Sequence, residues 1–411
     1  MTQQHSTKSQ FFALLIVGVL FFIFGFVTWL NGVLIPFLRT ACELSTTEAF
    51  FVATAFYIAY FVMAIPVSFL LRYTGFVNSM SLGLIIMMFG SLLFIPAAYS
   101  REYWMFLVAL FIQGTGLTLL QTAVNPYVVL LGPVESAAKR ISIMGVANKL
   151  AGAFSGIILG SILLSKSDTV IKEELNVLDA AQKALYLDDM AQKVIGPYLL
   201  MACILLLLAM MVRFARLPEI VNDEPDAKFS VKGLPTYAWL GFFAIFFYVG
   251  AEVVVGDSII LYGRYLNPDP AYINVFGYSL NILNPSYFTS YVMAGMIIGY
   301  FIGIALIPKI ISQQKALKLF SISALLFTSL ALISSGISSL FFIALLGISN
   351  SVMWPAIWPL AIDKTGNKTP IISALLIMGI IGGAIMSPAF GQLADLMNMH
   401  LAYLLLIPCY L

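Results

Sequence analysis

Residues 11–38 read FFALLIVGVLFFIFGFVTWLNGVLIPFL, a run without a single charged side chain. A helix needs about 20 mostly apolar residues to cross a bilayer. This run is longer than that, and too long for the core of a signal peptide. No small-residue cleavage site closes it, so it reads as a retained first span. Asn31-Gly32 interrupts it, and Pro36 follows.

The pattern recurs along the chain. Apolar runs follow at 48–71, 78–98, 102–131, 141–165, 194–214, 236–262, 286–307, 316–335, 338–362, 370–391 and 399–411. Together they predict about twelve spans. Backbone polar groups cannot go unpaired in lipid, so each span is expected to be a helix and the protein an all-α membrane protein. The last run is too short to cross, which predicts a truncated final helix. Composition agrees. Apolar types make up 61% of the 411 residues and charged types 10%, against about 25% charged in a soluble domain.

Several function classes drop out. The net charge is +2, and the basic residues sit between apolar runs, so no stripe marks a nucleic-acid partner. Cys42, Cys203 and Cys409 have no metal-like spacing. His5 and His400 lie at the chain ends, which argues against a His-based catalytic or zinc site. No cofactor and no firm metal site is expected.

Two connections are long and polar. Residues 166–193 predict a short amphipathic surface helix. Residues 215–235 predict a linker carrying Pro218, Pro225 and Pro235, and it falls after six spans. The expected organisation is one six-helix bundle over 1–214, the linker, and a second bundle over 236–411. Loop charge sets the orientation. Arg72, Lys139, Arg140, Arg213 and Arg216 share one side, while Arg39, Arg101 and Arg264 fall on the other. Both termini are therefore expected in the cytoplasm. The bundles resemble each other: ISIMGVANKLAGAFSGIILGSI at 141–162 and IISALLIMGIIGGAIMSPAFGQL at 371–393 both carry Ile-Met-Gly at similar depth. Six-span repeats are the pattern of carriers whose halves rock around a midplane site.

Charge inside a bilayer needs a reason. Lys149 shares a face with Gly145, Gly152, Gly156 and Gly160, so it points toward protein. It is a substrate or coupling residue, or else a structural ion pair or a snorkelling lysine. Glu252 shares a face with Tyr248 and Gly256. It could bind a cation, carry a proton or bond sugar hydroxyls, or simply pair to fix packing. Asp257, nearer the end of that span, is the third coupling candidate.

Uncharged polar stripes add to these. Gly114, Thr118, Gln121 and Asn125 recur at helical spacing. Amides donate and accept, which suits sugar hydroxyls, though they also bond helix to helix. Gly347, Asn350, Trp354 and Trp358 share a face of the tenth span. Indoles can stack on a pyranose. Thr28 and Asn31 share a face of the first span, and Asn31 is a candidate cavity residue. Two glycine ladders, at 152, 156 and 160 and at 295, 299 and 303, permit close helix contacts.

The stretches FGFVTWLNGVLIPFLR (24–39), QGTGLTLLQTAVNPYVVLLGP (113–133), KRISIMGVANKLAG (139–152), YVGAEVVVGD (248–257) and NSVMWPAIWPLAI (350–362) resemble the sugar permeases of the major facilitator superfamily. Within it they are most similar to the fucose:proton symporter family, in its glucose/galactose and N-acetylglucosamine branch from Gram-negative bacteria. The resemblance implies two six-helix bundles, a central sugar site, alternating access and a bacterial inner-membrane location. It implies that spans 5 and 8, and spans 2 and 11, meet across the bundles, with both glycine ladders at that interface. Asn148 matches a family asparagine. Gly32 and Gln121 stand where the fucose:proton members carry acids, so that proton relay does not carry over. Sodium coupling is then favoured over proton coupling, with the position of a sodium site unknown.

The expected function is cation-linked uptake of a hexose or amino sugar by a monomer in the lipid bilayer. An uncoupled facilitator is the alternative. A membrane-embedded enzyme is disfavoured because no HExxH-like helix, paired aspartates or activated serine is evident. A sensor lacks an output domain, and a channel lacks a filter or charged ring.

Overall fold

The computed structural model describes residues 7–131, 137–164, 168–215, 217–218, 234–275, 278–307, 310–362 and 369–411. Most of the linker expected at 215–235 and the side chain of Trp358 lie outside that description.

The first span is α1 (Thr7–Trp29) and α2 (Asn31–Ala41). The two meet at Leu30, whose carbonyl accepts from both Val33 and Leu34. Pro36, inside α2, has no N–H for the carbonyl of Gly32. The interruption expected at Asn31-Gly32 is therefore a helix break. The second span is α3 (Thr46–Val62) and the start of α4 (Ala64–Ser100), bent by 50°. Gly75, at φ +73°, marks the turn into the third span. The next spans are α5 (Tyr103–Leu130) and α6 (Ala137–Leu163).

The polar segment after the fifth span holds two short helices rather than one, α7 (Asp168–Asn176) and α8 (Ala180–Gln192). A capping box between Asp179 and Gln182 starts α8. It is held on the bundle end by Lys183–Glu43 at 2.6 Å and Asp188–Arg101 at 3.0 Å. The sixth span follows as α9 (Ile195–Phe214).

The seventh span is the unbroken α10 (Thr236–Leu266), buried along most of its second half. A hairpin of β1 (Tyr272–Val275) and β2 (Tyr278–Asn281) comes next, a departure from purely helical expectation. Its alternating YINV and YSLN suit a small solvent-side ribbon. Then come α11 (Phe288–Leu306), α12 (Gln313–Ile333), α13 (Gly336–Ser351), α14 (Met353–Ile362), α15 (Thr369–Met378) and α16 (Ile381–Leu396). The last apolar helix is α17 (Leu406–Tyr410), after a 3-10 turn over Leu401–Leu405.

The helices before the linker pack against one another, as do those after it, and the two sets meet along three seams. Among the described residues ten helices, or eleven with the bent pair, are long and apolar enough to cross a membrane, against the twelve or so expected. In one, α2 lies on α10. In the second, α3 lies on α16: Thr54 Oγ1 donates to the Ala384 carbonyl at 2.7 Å, and Phe50 meets Phe390 edge-on at 5.4 Å. In the third, α6 lies on α11: Ser290 Oγ donates to the Ala153 carbonyl at 2.6 Å.

The glycine ladder of the fifth span is at this third seam, with Gly156 facing Ser290 and Gly160 facing Ser286. The ladder of the eighth span is not. Gly295, Gly299 and Gly303 face Ile348, Ser351 and Val352 of the tenth span, within the second bundle. The face of α11 turned toward α6 instead carries Ser290, Met293 and Tyr300. Small residues mark a close contact without naming the partner.

Candidate functional site

The break in the first span places Trp29 at the centre of the molecule. Its indole lies between two glycines from different bundles. A Cβ on Gly152 would sit 2.5 Å from Trp29 Cδ1, and a Cβ on Gly256 would overlap the same ring. Only glycine lets α6 and α10 close on the indole from both sides. Lys149 lies one turn before Gly152, and Glu252 one turn before Gly256. Their side chains therefore converge beside Trp29. Lys149 Nζ lies 2.7 Å from Glu252 Oε1 and 4.3 Å from the centroid of the Trp29 ring. Both residues are more than nine-tenths buried. The pair is a charge-assisted hydrogen bond reinforced by a cation–π contact.

Tyr248, Tyr300 and Tyr410 are all within electrostatic reach of Glu252. Tyr410 donates to Asn350 Oδ1 at 3.0 Å, which ties the tenth span to the same centre. On the first bundle, Tyr57 and Tyr60 are stacked, with ring centroids 6.3 Å apart. Gln121 donates to the Tyr60 hydroxyl at 2.8 Å.

Eleven buried side-chain polar atoms among the described residues have no hydrogen-bond partner, and seven gather here. They are Thr28 Oγ1, Trp29 Nε1, both amide atoms of Asn31, the Tyr57 hydroxyl and both oxygens of Asp257. Tyr57 faces Asn31 and Asp257 without hydrogen-bonding geometry to either. Buried polar atoms are paired in folded proteins with few exceptions, so such a cluster needs an explanation. Thr289 Oγ1, by contrast, is satisfied by the Gly256 carbonyl at 2.8 Å.

Sequence reasoning placed Asn31, Lys149 and Glu252 at one site, and the structure brings them together with Asp257. Gln121 and Asn350 join through Tyr60 and Tyr410. Asn148 turns away: its amide donates weakly to the Phe21 carbonyl at 3.4 Å, and its backbone packs on Gly25 of α1. Asn125 lies one turn beyond Gln121 on α5, half-buried. Trp354 packs partly buried against the core. Trp29, Tyr57, Tyr60 and Tyr410 were missed. Trp29 had a readable signal, because it adjoins Asn31-Gly32 and large residues need facing glycines. The tyrosines had none, since Tyr is common in spans for other reasons.

The chain was compared with known proteins. The model of the Major Facilitator Superfamily matches residues 17–388. The glucose/galactose transporter of Brucella abortus is 34% identical over 100% of this chain and 94% of its own length. The L-fucose-proton symporter of Escherichia coli is 30% identical, over 92% of this chain and 85% of its own. Among solved structures, the transporter FucP in its outward conformation superposes with a TM-score of 0.72 at 26% identity, covering 98% of this chain and 97% of FucP. The chain belongs to the Major Facilitator Superfamily.

Proposed function

We propose that this protein carries a hexose or amino sugar across a bacterial inner membrane by alternating access, in symport with a cation. The observation that carries the reading is the set of unpartnered buried polar atoms on Thr28, Trp29, Asn31 and Tyr57. A sugar is a dense array of hydroxyls that both donate and accept. An amide, an indole N–H and a phenol, held together inside an aromatic enclosure, match that chemistry. Trp29 offers a ring face for a pyranose. The related glucose/galactose and fucose transporters support the substrate class.

The proposed movement follows from the three seams. The bundles over 1–214 and 236–411, joined by 215–235, rock about the centre. From that centre to one end they are in contact. At that end, Asp395 of α16 accepts from the Thr46 and Thr47 amides at 3.1 and 2.6 Å and from Thr47 Oγ1 at 2.7 Å. The carboxylate thus caps the N-terminus of a helix in the other bundle. With both termini cytoplasmic, the closed end faces outward.

The sodium preference expected from the sequence finds no support. The related fucose carrier is named a proton symporter. The test is uptake by purified protein in liposomes, using glucose, galactose, mannose, N-acetylglucosamine and fucose with and without ion gradients. Gradient-stimulated uptake of at least one is expected. Uptake of none contradicts the proposal.

A further inference from the structure

We infer that Asp257 is the site at which this carrier takes up and releases its coupling proton, an inference that rests on the transport reading above. Asp257 is fully enclosed, and neither carboxylate oxygen has a hydrogen-bond partner. An ionised carboxylate in that state is among the most costly things a span can hold. Relief requires a cation beside it, a proton on it, or water reaching it.

The charged and titratable groups around it leave the proton. Glu252 is on the same helix, five residues earlier, and adds repulsion. Lys149, from α6, is engaged by Glu252 at 2.7 Å. Arg264 lies seven residues beyond Asp257 on α10, about 10.5 Å along the helix axis, and Arg39, in the last turn of α2, lies seven residues beyond Gly32. Tyr57, from α3, presents a neutral phenol. From α16, Asp395 is taken by Thr46 and Thr47. From the C-terminal turns, Tyr403 meets Ser258, His400 meets Tyr262 and Tyr410 meets Asn350. The segments α13, α14 and α15 carry no acidic or basic residue. The Lys149–Glu252 pair is electrically closed, while Asp257 is not.

The position of Asp257 makes its proton sensitive to conformation. A Cβ on Gly32 would lie 3.5 Å from the Asp257 Cα, so the first bundle presses directly on this residue. Gly256 beside it lies under Trp29, and its carbonyl is held by Thr289. When α2 is packed on α10 as here, the enclosed side chain is stable as the neutral acid. When the bundles part along this seam, water reaches it and the carboxylate can release its proton. One proton binds one carboxylate oxygen on one side and leaves it on the other, with no other bond made or broken. Closure around the proton and closure around the sugar then use the same seam.

The experiment uses the purified full-length chain in liposomes enclosing a pH-sensitive dye. In the wild type, adding a transported hexose outside acidifies the lumen in sodium-free buffer. A gradient of one pH unit, acid outside, supports accumulation of up to about tenfold, because at one-to-one coupling a tenfold proton ratio balances a tenfold sugar ratio. Asp257→Asn keeps the shape and removes the titratable group. It is expected to accumulate nothing above the outside level and to leave the dye unchanged. Hexose-dependent thermal stabilisation of the solubilised variant confirms that it is folded and binds sugar.

The inference is overturned if Asp257→Asn still accumulates hexose, if the folded variant has lost sugar binding, or if wild-type accumulation follows sodium. A wild type that exchanges sugar without moving protons overturns it independently of any variant. A wild type that exchanges no sugar overturns the transport reading, and this inference with it.

Discussion

Lys149 and Glu252 belong to different bundles, and their side chains meet at 2.7 Å beside the indole of Trp29. One ion pair therefore spans the plane along which the bundles are proposed to move. A buried pair contributes little net stability, but removing one partner leaves a buried charge uncompensated and costs about 3–5 kcal/mol.

Lys149→Ala and Glu252→Gln are each expected to lower the unfolding temperature and hexose exchange. The double variant Lys149→Ala with Glu252→Gln is expected to be more stable than the sum of the single effects allows. Thermal unfolding of the four proteins measures this. If Lys149→Ala leaves sugar affinity and ion dependence unchanged, the pair is structural only.

The fit of Trp29 between Gly152 and Gly256 gives a second expectation. Gly256→Val places methyl groups where the indole now sits, and exchange should fall by about tenfold or more, a barrier change of about 1.4 kcal/mol. Combining it with Trp29→Ala relieves the overlap. The double variant is expected to unfold at a higher temperature than Gly256→Val alone. Equal unfolding temperatures would show that the overlap is absorbed elsewhere.

Asp395 holds the closed end through Thr46 and Thr47. Hydrogen bonds to a charged group contribute about 1.5–3 kcal/mol each. Asp395→Ala should therefore shift the protein toward states open at that end. Phe50 is fully buried against Phe390 across this seam. Maleimide labelling of Phe50→Cys is expected to be several-fold faster in the Asp395→Ala background. Labelling that stays slow means the cap does not hold this end shut.

The spans were readable because a bilayer imposes length and hydropathy, and both are written locally. The break at Asn31-Gly32 was readable for the same reason, since Gly and Pro act on their own backbone. Lys149 and Glu252 were each visible as charges in lipid. That they bond to each other was not, because the pairing depends on how α6 and α10 are brought together by Trp29. The eighth-span ladder shows the same limit from the other side. Its glycines foretold a close contact, but the partner proved to be the tenth span rather than the fifth. Asp395 was overlooked because an acid at the end of a span looks like ordinary interfacial wetting. Its role is set by a helix N-terminus far away in the chain, preceded by Ser45 and opened by Thr46 and Thr47.

The most direct test of the account is equilibrium exchange of labelled glucose and galactose in liposomes, comparing the wild type with Asn31→Leu. Leucine has the same branching and number of side-chain heavy atoms as asparagine and has no group for a sugar hydroxyl. Asn31 makes no hydrogen bond within the described protein that the change would break. The account predicts exchange of at least one hexose by the wild type, and a folded Asn31→Leu variant whose exchange is reduced by about tenfold or more, the loss of about 1.4 kcal/mol of binding. Undiminished exchange by Asn31→Leu, or a wild type that exchanges neither sugar, would contradict it.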